Sequence, residues 1–351
     1  EPVAAQAAPV EAAVVSPSPA NPIATEPPME AWLPEYMDRK RTCETKHFTL
    51  SSGKRMAYTE DGPAWGDPQD AVAMLAIHGV DCGKEAWLLE ATPAVRLIAI
   101  DRLGFGESDD APEAYGYEEV TADLEEFIMG LKLGELVVMG HGLGGAIALN
   151  LTASPTLGKH VKALGLLASN TDPFHSSATT EFRKSVGVPE AEDEEAQKTY
   201  GEQVSFMAEQ SEPHTRWREP GYDWAARFAR LKAEPTLSGT PEQVVKMSAD
   251  LFFACSITDG GTKANSPRTT ALEYSRRACK LPNDISVITC PVLAICSQAD
   301  LSCSPEFTVQ TSRAIKHLMF KTLTNHGHYS ILMEFKHLLG DVVAMAAKNY
   351  R

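Results

Sequence analysis

Gly140-His141-Gly142-Leu143-Gly144-Gly145 lies between the apolar run Leu136-Val137-Val138-Met139 and the helix-forming Ala146-Ile147-Ala148-Leu149. A buried strand, a glycine-dense turn and a helix therefore meet at one point. A G-x-S-x-G turn in that setting, a nucleophile elbow, holds a reactive side chain above the end of a sheet. The chemistry it serves is nucleophilic attack by a hydroxyl, thiol or carboxylate through a covalent intermediate. Here the middle position is Gly142, which has no side chain. The setting of a nucleophile is present and the nucleophile is not. Metal chemistry finds no comparable signal, because the seven cysteines are scattered without a C-x-x-C pair or other metal-like spacing. Nothing in the pattern asks for a metal or another cofactor.

The elements that would position this turn follow from hydrophobic periodicity. His47-Phe48-Thr49-Leu50 and Lys54-Arg55-Met56-Ala57-Tyr58, joined through Ser52-Gly53, read as a β-hairpin. Ala71 to Ile77, ending in His78-Gly79, has the continuous apolar character of a buried parallel strand. Val95 to Ile100 is a second such strand, ending in Asp101-Arg102-Leu103-Gly104-Phe105-Gly106-Glu107-Ser108-Asp109. Val120, Leu124, Phe127, Ile128 and Leu131 make one face of a helix. The strand Leu136 to Met139 and the elbow helix follow, and Pro155 stops that helix near Ala153. Val161 to Ala168 is another strand. From Asp172 the alternation gives way to a polar, helix-like segment containing Phe206, Trp217, Tyr222, Trp224, Phe228, Phe252 and Phe253. The α/β pattern resumes with strand Pro291 to Ile295, a helix from about Pro305 to Ile315, strand Leu318 to Leu323, and a last helix carrying Ile331, Leu332, Phe335, Leu338, Leu339, Val342 and Val343.

Alternating strands and helices at this spacing predict an α/β fold: a mainly parallel central sheet with helices on both faces, plus an inserted helical cap. The expected organisation is an Ala/Pro-rich extended arm over residues 1–37, a first core part over 38–171, a cap over 172–285 and a second core part over 286–351. The arm has no Lys or Arg and cannot bury enough apolar area to fold alone. It becomes ordered when something holds it, and a partner subunit is the expected holder.

Composition narrows the partners. The 351 residues are 43% hydrophobic and 23% charged, as in ordinary soluble domains. A formal charge of −15 argues against nucleic acid and anionic membranes, which are polyanions. Part of it lies in Glu190-Ala191-Glu192-Asp193-Glu194-Glu195, read as a solvated loop or helix start. No apolar run approaches the roughly 20 residues of a transmembrane helix. Cys255, Cys290 and Cys296 sit in apolar runs, where a free thiol acts as a small core residue. The expected compartment is therefore reducing and intracellular. The first residue is Glu1, and removal of a transit peptide would account for it, so a mitochondrion or plastid is expected ahead of the cytosol.

Over roughly residues 46 to 349 the chain resembles the α/β-hydrolase fold superfamily, nearest its capped esterase, lipase and epoxide-hydrolase-like group. The resemblance rests on His78-Gly79 after a strand, the Asp101 to Ser108 segment, the elbow at Gly140 to Gly144, and Asn325-His326-Gly327-His328-Tyr329 after the last strand. It implies a chain order of nucleophile, acid, histidine, which position 142, Asp300 and His328 follow. His328 would be the general base and Asp300 would orient its ring. A loop carboxylate capping the next helix is the alternative for Asp300, with Asp172 as the alternative acid; His326 is the competing histidine. The oxyanion hole would use the backbone N–H groups of Val80 and Leu143. Asp101 to Ser108 is expected to be a structural turn, and the cap aromatics are expected to be core.

Glycine at position 142 removes the covalent step that the resemblance implies, while suiting the positive-φ backbone of an elbow. Three functions fit. The chain is a pseudoenzyme, a binding or structural subunit of a larger assembly, with a small apolar ligand in the cap pocket. Alternatively it is a serine hydrolase whose nucleophile was replaced, or an enzyme in which His328 and Asp300 act as a base without a side-chain nucleophile. Cys82 is a conceivable surrogate nucleophile.

Overall fold

The computed structural model describes residues 44–62, 72–79, 83–87, 95–112, 115–169, 281–298, 300, 303, 305, 314–323, 331–332 and 340–346. Among them are the strands β1 (Lys46–Thr49), β2 (Arg55–Asp61), β3 (Val72–Ile77), β4 (Val95–Ile100), β5 (Leu136–His141), β6 (Val161–Leu167), β7 (Val292–Ser297) and β8 (Leu318–Leu323). They form one sheet in the order β1-β2-β4-β3-β5-β6-β7-β8. The hairpin partners β1 and β2, and β2 with β4, run antiparallel. Every other neighbouring pair is parallel. Helices α1 (Tyr117–Gly130) and α2 (Leu143–Thr152) bracket β5 in sequence.

Parallel strands need crossover connections that cover both faces of the sheet, so their residues are apolar on both sides. β4, β5 and β7 are buried along their whole length. Alternation divides β3 between two cores: Leu75 and Ile77 face one, Met74 and Ala76 the other. The first core takes Val120, Leu124 and Phe127 of α1 with Ile147 and Leu151 of α2. The second takes Trp87, Ile331, Leu332, and Val342 and Ala346 of the helical stretch 340–346. Helices thus cover both faces, as the periodicity predicts. Phe127 is fixed by edge-to-face contacts with Phe48 and Tyr58, at centroid distances of 5.4 and 5.2 Å.

The strands expected in the described stretches and the helices on either side of β5 are present; of the expected last helix, 340–346 is helical, whereas Ile331 and Leu332 are in a 3-10 turn. The Val120-to-Leu131 face buries Val120, Leu124, Phe127 and Ile128, and Leu131 caps the helix. The arm over 1–37, residues 172–280 of the expected cap and most of the helix expected over 305–315 lie outside the described residues, as do Glu190 to Glu195. Among the described residues no helix is long and apolar enough to cross a membrane.

Strand order decides where a site can form. From β3 the chain steps outward to β4, then returns to β5 on the other side of β3 and continues that way to β8. In open α/β sheets the crevice beyond the carboxyl ends of strands that part in this way is the binding position. Here it lies between the ends of β3 and β5.

Candidate functional site

Register brings the motif residues together. Ile77 of β3 pairs with Gly140 of β5 on one side and with Ile100 of β4 on the other. Two residues beyond those partners stand Gly79, Gly142 and Arg102, side by side at one edge of the sheet. A Cβ at Gly79 would lie 2.9 Å from His141 Nδ1, which measures how closely the ends of β3 and β5 approach.

Gly142 has φ 53° and ψ −123°, backbone that side chains of L-residues adopt only under strain. Both its peptide groups are held: its N–H donates to Leu167 O at 3.0 Å, and its carbonyl accepts from Gly145 N–H at 3.1 Å. The chain reverses there from β5 into α2. Gly144 is required by close approach, since a Cβ on it would collide with the carbonyl oxygens of Ile77 and His78. Gly140, buried within β5, receives the Ser169 hydroxyl on its carbonyl at 3.2 Å. Leu143 opens α2, so its N–H has no partner within the helix and points its dipole out of the N-terminus. That amide is suited to polarise an oxygen at the sheet edge.

His78 is fully buried, and both ring nitrogens are engaged. Nδ1 contacts Gly79 O at 2.7 Å, and Nε2 accepts from Arg102 N–H at 3.0 Å. A carbonyl can only accept, so Nδ1 carries the proton and the ring is neutral. Burial, followed by the Arg102 guanidinium, holds its pKa well below the usual histidine range. His78 is a structural pin that sets the direction of Gly79, and its ring meets Phe105 edge-on at 4.9 Å.

The Asp101 to Ser108 segment is a hydrogen-bonded turn, as expected. Asp101 accepts from Lys84 N–H at 2.7 Å, Lys84 Nζ at 2.8 Å and Glu107 N–H at 2.9 Å. Its carbonyl accepts from the Ser108 hydroxyl at 2.6 Å, and that hydroxyl accepts from Ala57 N–H at 2.7 Å. Lys84 and Asp101 form a buried ion pair, with Glu107 3.5 Å from the same ammonium. Sequence inspection misses this pair because its members are 17 positions apart and meet only through the β3–β4 register. It also misses Ser169, which packs against Gly145 behind the elbow and donates to Leu167 O at 3.0 Å.

Asp300 is only 3% exposed and follows β7. Its carboxylate accepts from Cys303 N–H at 2.9 Å, and its own N–H donates to Ser297 O at 3.2 Å. The first contact is the one that a loop carboxylate capping the next helix makes. β6 stands between β7 and β5, which puts Asp300 roughly 10 Å from the elbow by strand spacing. Val80, Cys82, Asp172, His326 and His328 lie outside the described residues. Among the described residues no group of His, Cys, Asp and Glu could hold a metal ion. Cys290, Cys296 and Cys303 are buried and in no disulfide.

Residues 74–337 match the profile of the alpha/beta hydrolase family. Lipase 1 of Psychrobacter immobilis is 34% identical over 139 residues, 38% of this chain and 42% of that protein. Epoxide hydrolase 3 of Xenopus tropicalis is 38% identical over 103 residues, 28% of this chain and 26% of that protein. The chain spans less than half the length of either relative. A bromoperoxidase from Bacillus anthracis superimposes with a TM-score of 0.60 at 17% identity, over 86% of this chain and 99% of that one, which is a likeness of fold. With the profile covering more than half of the residues, the sheet order and the elbow in agreement, this chain belongs to the alpha/beta hydrolase family.

Proposed function

We propose that this protein is a non-hydrolytic member of its family, a pseudoenzyme that binds rather than cleaves, and a subunit of a larger assembly held through residues 1–37. One observation carries the proposal: the residue at the turn from β5 into α2, with φ 53° and ψ −123°, is Gly142, which has no side chain to act as a nucleophile. Losing a triad nucleophile costs about a million-fold in turnover. Nearby described groups do not compensate. The Ser169 hydroxyl is spent on the carbonyls of Gly140 and Leu167, and His78 is a buried neutral pin. The amides of Leu143 and Val80 would still hold a ligand oxygen, with residues 172–285 as the cap over a small apolar ligand. Relatives named as lipases and epoxide hydrolases suggest ligands of ester or epoxide size. The expected outcome is no turnover of short-chain 4-nitrophenyl esters by the purified chain, with activity appearing in Gly142→Ser. Robust esterase activity in the unsubstituted protein would overturn the proposal. Deleting residues 1–37 is expected to release the chain from the assembly; unchanged co-purification refutes the subunit role.

A second reading rests on Asp300, buried at the same sheet edge. There His328, oriented by Asp300, takes a proton from water or substrate without a covalent intermediate. It requires that any activity disappear in His328→Ala. Full activity in that variant removes it.

A further inference from the structure

The chain between Gly79 and Lys84 joins the end of β3 to a short 3-10 turn, Lys84–Trp87, and both its ends are gripped by two consecutive residues at the end of β4. Arg102 grips the first. Its N–H donates to His78 Nε2 at 3.0 Å, and its Nη2 donates to Gly79 O at 3.2 Å. The guanidinium is itself seated over the Phe105 ring at 4.4 Å. Asp101 grips the second, taking the main-chain N–H of Lys84 on Oδ1 and the ammonium on Oδ2. The same Oδ2 accepts from Glu107 N–H, so the anchor is braced by the turn that follows it. All four gripping and gripped side chains, His78, Lys84, Asp101 and Arg102, are buried.

A surface loop needs no such device. A buried lysine and aspartate are costly to desolvate, and a pair of them is retained where it fixes one arrangement of the backbone against others. Bonding a carboxylate to the main chain and side chain of one residue specifies both position and orientation. We propose that Asp101 and Arg102 are a positioning pair that sets the separation and orientation of Gly79 and Lys84, and thereby fixes the peptide plane of the Gly79 carbonyl, which the following amide shares. The amide's use rests on the oxyanion role proposed above. The clamp does not.

The test separates the two. Hydrogen exchange is followed on the full chain in the wild type, Asp101→Ala, Asp101→Asn and the charge-neutral double variant Lys84→Met/Asp101→Asn. Asp101→Ala is expected to accelerate exchange about tenfold or more in peptides covering 79–84 and 101–108, with residues 136–152 unchanged. Asp101→Asn keeps an acceptor for the residue-84 N–H and is expected to fall between it and the wild type. Should the single variants not fold, the double variant, which strands no charge, decides: it accelerates 79–84 selectively. Uniform acceleration across the molecule, or none at 79–84, overturns the clamp. A second arm adds Asp101→Asn to Gly142→Ser and follows 4-nitrophenyl butyrate hydrolysis, where kcat is expected to drop about tenfold at unchanged KM. If Gly142→Ser has no activity, the oxyanion role fails while exchange still decides the clamp.

Discussion

Placing a side chain on Gly142 separates backbone strain from chemistry. At φ 53° and ψ −123° an L-residue costs about 1–3 kcal/mol. Relaxing to negative φ would sacrifice the bonds to Leu167 O and from Gly145 N–H, each worth about 1 kcal/mol, so escape is no cheaper than strain. Against this, a Cβ lowers the entropy of the unfolded chain and returns about 0.4–1 kcal/mol. The net loss for Gly142→Ala is therefore about 0–2.5 kcal/mol, a fall in Tm of up to roughly 3–4 °C for a chain of 351 residues. Gly142→Ser should lose the same amount, because the two side chains share the Cβ that creates the strain. The assay is paired: thermal and urea unfolding of wild type, Ala and Ser variants, and ester hydrolysis by the same preparations. Equal destabilisation with hydrolysis only in the Ser variant is the expected result. A Gly142→Ala variant more stable than wild type would refute the positive-φ elbow. Equal hydrolysis by Ala and Ser variants would refute a hydroxyl-dependent reaction at this position.

Three further outcomes follow from the packing and the titrating groups. Folded His78 stays neutral to well below the unfolded histidine value of about 6.5, so below that pH the unfolded chain binds the extra proton. Stability should then fall with decreasing pH at up to about 1.4 kcal/mol per pH unit from this group, with no contribution above pH 6.5. Urea unfolding between pH 5 and 7.5 should show a flatter profile for His78→Gln; parallel profiles would refute the assignment. Gly144→Ala drives a methyl into the Ile77 and His78 carbonyls, and should cost about 3 kcal/mol or prevent folding; a neutral effect by denaturation would contradict the close approach. Burial pushes the Cys290 thiol up to about 11, so at pH 8 roughly a thousandth is thiolate. Mass spectrometry after iodoacetamide treatment should find Cys290 unmodified in native protein and alkylated in urea; rapid native labelling would refute its burial.

The central strands were legible because continuous apolar runs have few uses besides a strand buried on both faces, and α1 because its apolar residues recur at helical spacing. Glycines punctuating the 140–145 stretch marked the elbow, since a chain turning tightly from strand to helix needs them. That residue 142 is glycine, with no side chain at that turn, is purely a matter of sequence. What sequence could not supply was contact between distant positions. His78 looked like half of a two-residue motif; the register of β3 with β4 makes it a neutral pin between Gly79 and Arg102. Lys84 carried no signal at all until Asp101 met it across the same strands. Asp300 followed its strand as expected, yet its bond to Cys303 N–H is also one a helix cap makes. Local order follows from periodicity and turn chemistry, which are written in neighbouring residues. Pairing of buried charges, the tautomer of a buried ring and the approach of two strand ends depend on residues far apart in the chain, so only the tertiary structure decided them.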